Sequence, residues 1–184
     1  MTEGSAAKPP SPTARITGAV YLLYFLTAVP AQILAGRKLI VYGDVLNVIA
    51  DAVYIVLALL LYFLFKPVSR NLSLVAALFS LAGCAVGLLG IFHLAPRHFN
   101  PLWFFSPYCL LIGWLIIRST FLPRLLGWLM VLAGLGWLAY LSPPVAKHFS
   151  VPIEAVGIVA EASLMLWLLV KGVNEERWKQ QAML

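Results

Sequence analysis

Six apolar runs, separated by short stretches that hold nearly all the charge, leave this 184-residue chain few ways to fold. They cover residues 16–34, 44–65, 72–92, 102–117, 125–141 and 152–170. Each comes close to the ~20 residues that carry a helix across ~30 Å of hydrocarbon. The fourth and fifth are short, and would cross with little tilt or with local thinning of the bilayer. In lipid the backbone must satisfy its own hydrogen bonds, which restricts such runs to helices. The predicted fold is therefore all-α: a polytopic membrane bundle of six transmembrane helices. Composition agrees, since 62% of residues are hydrophobic and 11% charged, against about 25% charged in a soluble domain.

Charge sets the expected orientation. Lys and Arg number 13 against 7 acids, and they sit singly or in pairs at the ends of apolar runs. That distribution suits a lipid bilayer as partner and argues against a nucleic-acid face. Lys8, Arg15, Lys66, Arg70, Arg118, Arg124, Lys171, Arg177 and Lys179 fall on one side, and Arg37, Lys38, Arg97 and Lys147 on the other. The positive-inside rule then puts both termini in the cytoplasm. Residues 1–15, rich in Pro, Ser and Ala, read as a disordered cytoplasmic tail. The segment 171–184 reads as a second cytoplasmic tail that touches the membrane surface through Lys171, Arg177, Trp178 and Lys179. Val29-Pro30-Ala31 also resembles a signal-peptidase site, but the length of the first run and the spans after it favour a retained helix. No internal repeat is visible. Ser142-Pro143-Pro144 is expected to open a loop holding Lys147 and His148.

Polar residues inside apolar runs are the informative exceptions, because an ionisable group in a membrane is costly and marks function by default. Asp44, Asn47, Asp51 and Tyr54 lie within roughly 80° of one helix face. Glu154 and Glu161 are seven apart on one face of the sixth run. With the expected orientation these acids, and His93 and His98, fall in the outer half of the bundle. Asp51 and Glu161 are predicted to face a shared site at matching depth. Burial favours the protonated form of a carboxylate and a nearby acid adds to this, so such a pair holds a proton or gives it up for a cation. A competing reading gives each acid a packing role, paired with Tyr, Asn, Ser or backbone across helices.

Other features carry less chemistry. Gly83 and Gly87, with Gly90 a turn later, would let helix backbones approach and make the third helix central. Cys84 and Cys109 read as small apolar packing residues. Ser80, Ser106 and Ser163 sit in no nucleophile motif. His93 and His98 are the only metal-ligand candidates, without a tight ligand spacing. The tryptophans and tyrosines read mostly as interfacial anchors. No cofactor is implied, and nothing marks an oligomeric state.

Three ordered segments resemble one family. Leu61-Tyr-Phe-Leu-Phe-Lys-Pro-Val-Ser-Arg-Asn-Leu-Ser-Leu-Val-Ala-Ala-Leu-Phe79 is similar to its exit and re-entry between the second and third helices. Arg118-Ser-Thr-Phe-Leu-Pro-Arg-Leu-Leu-Gly127 is similar to its turn between the fourth and fifth. Glu161-Ala-Ser-Leu-Met-Leu-Trp-Leu-Leu-Val-Lys-Gly172 is similar to its closing segment. The family is domain of unknown function 4386, small multipass bacterial membrane proteins. The resemblance implies a helical bundle in a bacterial cytoplasmic membrane, with no established activity and with acids at the positions of Asp51 and Glu161. The chain departs from it at Ser80, where many members are expected to carry Arg; if that Arg pairs with the acids, this chain lacks the partner.

The function expected from these features is small-solute, cation or proton-linked transport or sensing through an outward-facing acidic cavity. An enzyme is the less favoured class. One alternative is a non-catalytic partner or assembly subunit using the glycine-rich third and fifth helices. Another is an intramembrane, metal-assisted lipid hydrolase using His93, His98 and the acids.

Overall fold

A computed structural model describes residues 12–94 and 100–183. Its long helices are α1 (Pro12–Gly36), α2 (Ile40–Phe65), α3 (Arg70–Ile91), α4 (Leu102–Arg118), α5 (Arg124–Trp137) and α6 (Pro143–Val170). A 3₁₀ turn over Leu138–Leu141 extends α5, and a short α7 (Glu175–Ala182) ends the described chain. Among the described residues, five helical segments are long and apolar enough to cross a membrane: Thr13–Gly36, Ile40–Phe65, Arg70–Ile91, Arg124–Leu141 and Pro144–Val170. The sixth apolar helix, Leu102–Arg118, has 17 residues. Residues 1–11 of the expected N-terminal tail lie outside the described residues, and 12–15 already form the first turn of α1.

Each long helix packs on its neighbours in sequence, and α6 closes on α1. The six therefore form a ring, and α3 is not central. Large apolar side chains such as Leu26, Phe63, Leu78, Trp128 and Val159 point outward and are exposed, as lipid-facing positions should be. The interior instead holds Tyr21, Tyr54 and Tyr108, at 0%, 4% and 1% exposure. These three tyrosines are thus core residues rather than interfacial anchors.

Glycine decides where helices touch, at positions other than the expected ones. A Cβ on Gly113 or on Gly127 would lie 2.7 Å from the other's carbonyl oxygen, so α4 and α5 cross backbone to backbone there. Ser106 reinforces this pair by donating to the Gly134 carbonyl at 2.8 Å. On α3, Gly83 faces the Phe104 Cβ and the Pro101 carbonyl, Gly87 faces the Asp51 carboxylate, and Gly90 has no neighbour within 4 Å among the described residues. The Gly83–Gly87 spacing makes no backbone approach as close as that at Gly113 and Gly127.

The helix ends follow local chemistry. Phe65 ends α2 just before Pro67, as expected, and Ser69 caps α3 by accepting from the Leu72 N–H. Helix α6 starts at Pro143, nine residues before the expected span at Pro152. Proline suits a first helical turn because its missing N–H would have no partner there. Lys147 and His148 are therefore exposed helical residues, not loop residues. The C-terminal segment is also more ordered than a tail. Asn174 caps α7 by accepting from the Arg177 N–H, and Trp178 donates its indole N–H to the Leu64 carbonyl at 2.8 Å. Gln181 bonds Thr120 and Arg118 in the α4–α5 turn. The α2–α3 turn, the α4–α5 turn and the C-terminal segment, all cation-bearing, thus meet at one end of the ring. There Arg118 stacks on Trp114, 4.9 Å from the ring centroid.

His93 has a backbone role. It sits at φ 56°, with its N–H on the Gly90 carbonyl and the Leu94 N–H on the Leu89 carbonyl. This is the left-handed residue of a Schellman cap, a place usually held by glycine. An L-residue there costs about 1–2 kcal/mol. His93→Gly is expected to stabilise the protein by about 0.5–1 kcal/mol after allowing for the freer unfolded chain. Denaturant titration in micelles checks this; a clear loss of stability would give the side chain a role that the cap does not.

Candidate functional site

All six helices contribute to one cavity of about 670 Å³. From α1 come Tyr24 and Phe25, from α2 Asn47, Asp51 and Tyr54, and from α3 Ser80, Cys84 and Gly87. Asn100 to Leu102 and Phe105 line it at the start of α4, Trp137 at the end of α5, and Glu154, Ile158 and Glu161 on α6. Five of the residues singled out from sequence, Asn47, Asp51, Tyr54, Glu154 and Glu161, therefore share one space. Asp44 and His93 are not among the lining residues, and His98 lies outside the described residues.

The three acids differ in their surroundings. Glu161 is buried at 6% exposure and accepts a 2.8 Å hydrogen bond from Tyr21 Oη, across the α1–α6 contact. Glu154 is exposed and accepts from Tyr140 Oη at 2.8 Å, while the Tyr140 carbonyl accepts from Trp103. Asp51 is half-buried, with neither a hydrogen bond nor an ion pair among the described residues. A Cβ on Gly87 would lie 3.2 Å from its Oδ2, so the absence of a side chain there leaves room for the carboxylate. Lys66 and Lys171, which cap α2 and α6, lie at the same end of the ring. Counted back from them, Asp51 is about 22 Å along and Glu161 about 15 Å along. The two are not level as expected: Glu161 lies deeper by about 7 Å, nearly one and a half turns, and Glu154 is closer to the level of Asp51.

The walls are aromatic and hold orphaned polar atoms. Tyr24 packs on Tyr54 with ring centroids 4.6 Å apart, and Phe105 bridges Tyr54 at 5.9 Å and Trp137 at 5.8 Å. A Cβ on Gly157 would meet the Trp137 ring at 2.5 Å, so Gly157 makes space for the indole against α6. Among the described residues, the buried Ser80 hydroxyl and the Trp137 indole N–H have no hydrogen-bond partner, and the Tyr54 and Tyr108 hydroxyls have none beyond one another. Buried polar groups are nearly always satisfied, and leaving one unpaired costs about 1–3 kcal/mol. Such donors beside an unpaired carboxylate suit a bound polar solute.

Ser106 and Ser163 donate to the carbonyls of Gly134 and Val159, and neither bonds to a basic side chain among the described residues. Among the described residues no three His, Cys, Asp or Glu side chains come close enough to hold a metal ion. Cys84 and Cys109 are free and buried. Sequence reasoning missed Tyr21, which shares one face of α1 with Gly18 and Tyr24 but carries no local mark of its bond to Glu161.

Fold and cavity together define a multipass helical membrane protein with an acidic, aromatic interior site. The family model described as domain of unknown function (DUF4386) matches residues 98–172, the same family that the three motifs resemble. A protein of Archaeoglobus fulgidus described as uncharacterized is 29% identical over 140 residues, covering 72% of this chain and 83% of that protein. No solved structure matches.

Proposed function

We propose that this chain crosses the plasma membrane of a bacterium six times, with both termini in the cytoplasm and the cavity opening outward. In this reading Leu102–Arg118 is the sixth span, about 25 Å long, held between α3 and α5. The cavity binds a small cation or cationic solute, or a proton in its place, for transport or sensing. One observation carries the proposal: Asp51 is a carboxylate deep in an apolar helix with no hydrogen-bond or ion-pair partner among the described residues. A lone intramembrane charge is unfavourable unless protonated or matched by a counter-ion. Glu161 and Glu154 add negative potential, and the aromatic walls favour a cation further. Ser80 lines the same space; an arginine there would be an internal counter-ion, and this chain keeps that position neutral.

Purified protein screened against alkali cations and small alkylammonium ions should show a thermal shift with one of these classes. Asp51→Asn is expected to weaken that binding about tenfold, or ~1.4 kcal/mol. Ser80→Arg should block it by supplying the missing charge from within. Folded Asp51→Asn protein that binds with wild-type affinity, or a wild type that responds to neither cations nor protons, would refute the proposal.

A further inference from the structure

We infer that the cation-rich end of the ring carries a second site, built for the phosphate of an anionic glycerophospholipid. A cavity of about 640 Å³ lies between the α2–α3 turn, the start of α1 and α7. Three of its lining side chains are cationic, Lys66, Arg70 and Lys179, and one is acidic, Glu175. Glu175 is already held by Lys179, 3.9 Å away and one helical turn on. Lys66 and Arg70 are exposed and form no ion pair among the described residues. The local balance is therefore positive, with two cations left for a ligand.

The walls distinguish a lipid from a free anion. Phe63 lines the cavity and is 55% exposed, on a helix whose outward face is apolar. An acyl chain lying along it would continue straight from a phosphate held by Lys66 and Arg70. Trp178 forms the opposite wall and is fixed there by its bond to the Leu64 carbonyl. Indole at the level of the headgroups, with basic residues beside it, is the chemistry of the membrane interface. Basic pockets between helix ends take lipid phosphates in the same way. The bound lipid would bridge α7 to the α2–α3 turn, adding to the hold that Trp178 and Gln181 already give the C-terminal segment. This inference is independent of the acidic cavity and of which side of the membrane the end faces.

The test is native mass spectrometry of the full chain released from micelles containing equal amounts of phosphatidylglycerol and phosphatidylcholine. Wild type is expected to retain one phosphatidylglycerol, with a preference of about tenfold over phosphatidylcholine. Lys66→Gln/Arg70→Gln should lose that preference, while Lys147→Gln, on α6 away from this cavity, should keep it. Both altered side chains are exposed, so the double variant should remain monodisperse with unchanged helicity. Arg70→Lys, which keeps the charge, serves as a further variant and should retain most of the preference. The inference is overturned if wild type holds both lipids equally, or if the double variant keeps the preference. It is also overturned if inorganic phosphate displaces the lipid at equal concentration, which would make this a site for the free anion.

Discussion

Gly18→Ala should destabilise the bundle by about 3 kcal/mol, far more than a single methyl group normally does inside a helix. The added Cβ would lie 2.5 Å from Leu169 N, 2.7 Å from Leu169 Cα and 2.9 Å from the Leu168 carbonyl carbon. All three are backbone atoms of α6, so no side-chain rotation relieves the clash. The helices must part, and overpacking of this kind costs typically 1–3 kcal/mol. Separation would also stretch the Tyr21–Glu161 bond one turn further along α1, which is why the upper end of that range is expected. Gly90→Ala is the matched control, since no atom of the described residues lies within 4 Å of its Cβ position. Alanine there removes glycine's helix penalty and should leave stability unchanged or raise it by up to about 1 kcal/mol. Denaturant titration of both variants in one micelle system gives the comparison. A Gly18→Ala protein as stable as wild type would mean that α1 does not close against α6.

The second large effect concerns the bond that spans this closure. Tyr21 is fully buried and its hydroxyl donates to a carboxylate that is itself buried. Glu161→Leu leaves that hydroxyl without a partner, at a cost of about 1–3 kcal/mol. Tyr21→Phe strands the carboxyl group and should cost a similar amount. The double variant removes both polar groups and should recover much of the loss, because the desolvation penalty disappears with them. A coupling of about 1–2 kcal/mol in this cycle is expected. Strict additivity would show that the two side chains do not depend on each other. Glu161→Gln should be mild, since an amide oxygen still accepts from the tyrosine.

Helix placement was largely legible in the chain because lipid leaves an apolar run little choice but to be helical. Prolines and caps then set the ends, as at Lys66-Pro67. The site was half legible. Asp51 and Glu161 stand out chemically against leucine and valine, and both line the cavity. Tyr21 does not stand out, because a tyrosine in a span looks the same whether it meets a headgroup or a buried acid. Its role depends on α6 lying beside α1, and a contact 140 residues apart leaves no local mark. The same holds for glycine. Gly83 and Gly87 carry the familiar spacing, yet close backbone crossings are at Gly18 against α6 and between Gly113 and Gly127, on different helices. The early start of α6 was hidden for a different reason: two prolines in succession suggest a break, and only position decides that they begin a helix.

Closure of the ring by its first and last long helices also bears on how the protein is made. During synthesis α1 enters the bilayer well before α6 exists, and its Gly18–Tyr21 face must wait in contact with lipid. Asp51 likewise arrives before Glu161, so the acidic cavity is complete only once α6 is in place. Nascent chains arrested before α6 should therefore remain open and protease-sensitive, with maturation completed in one late step as the final span docks.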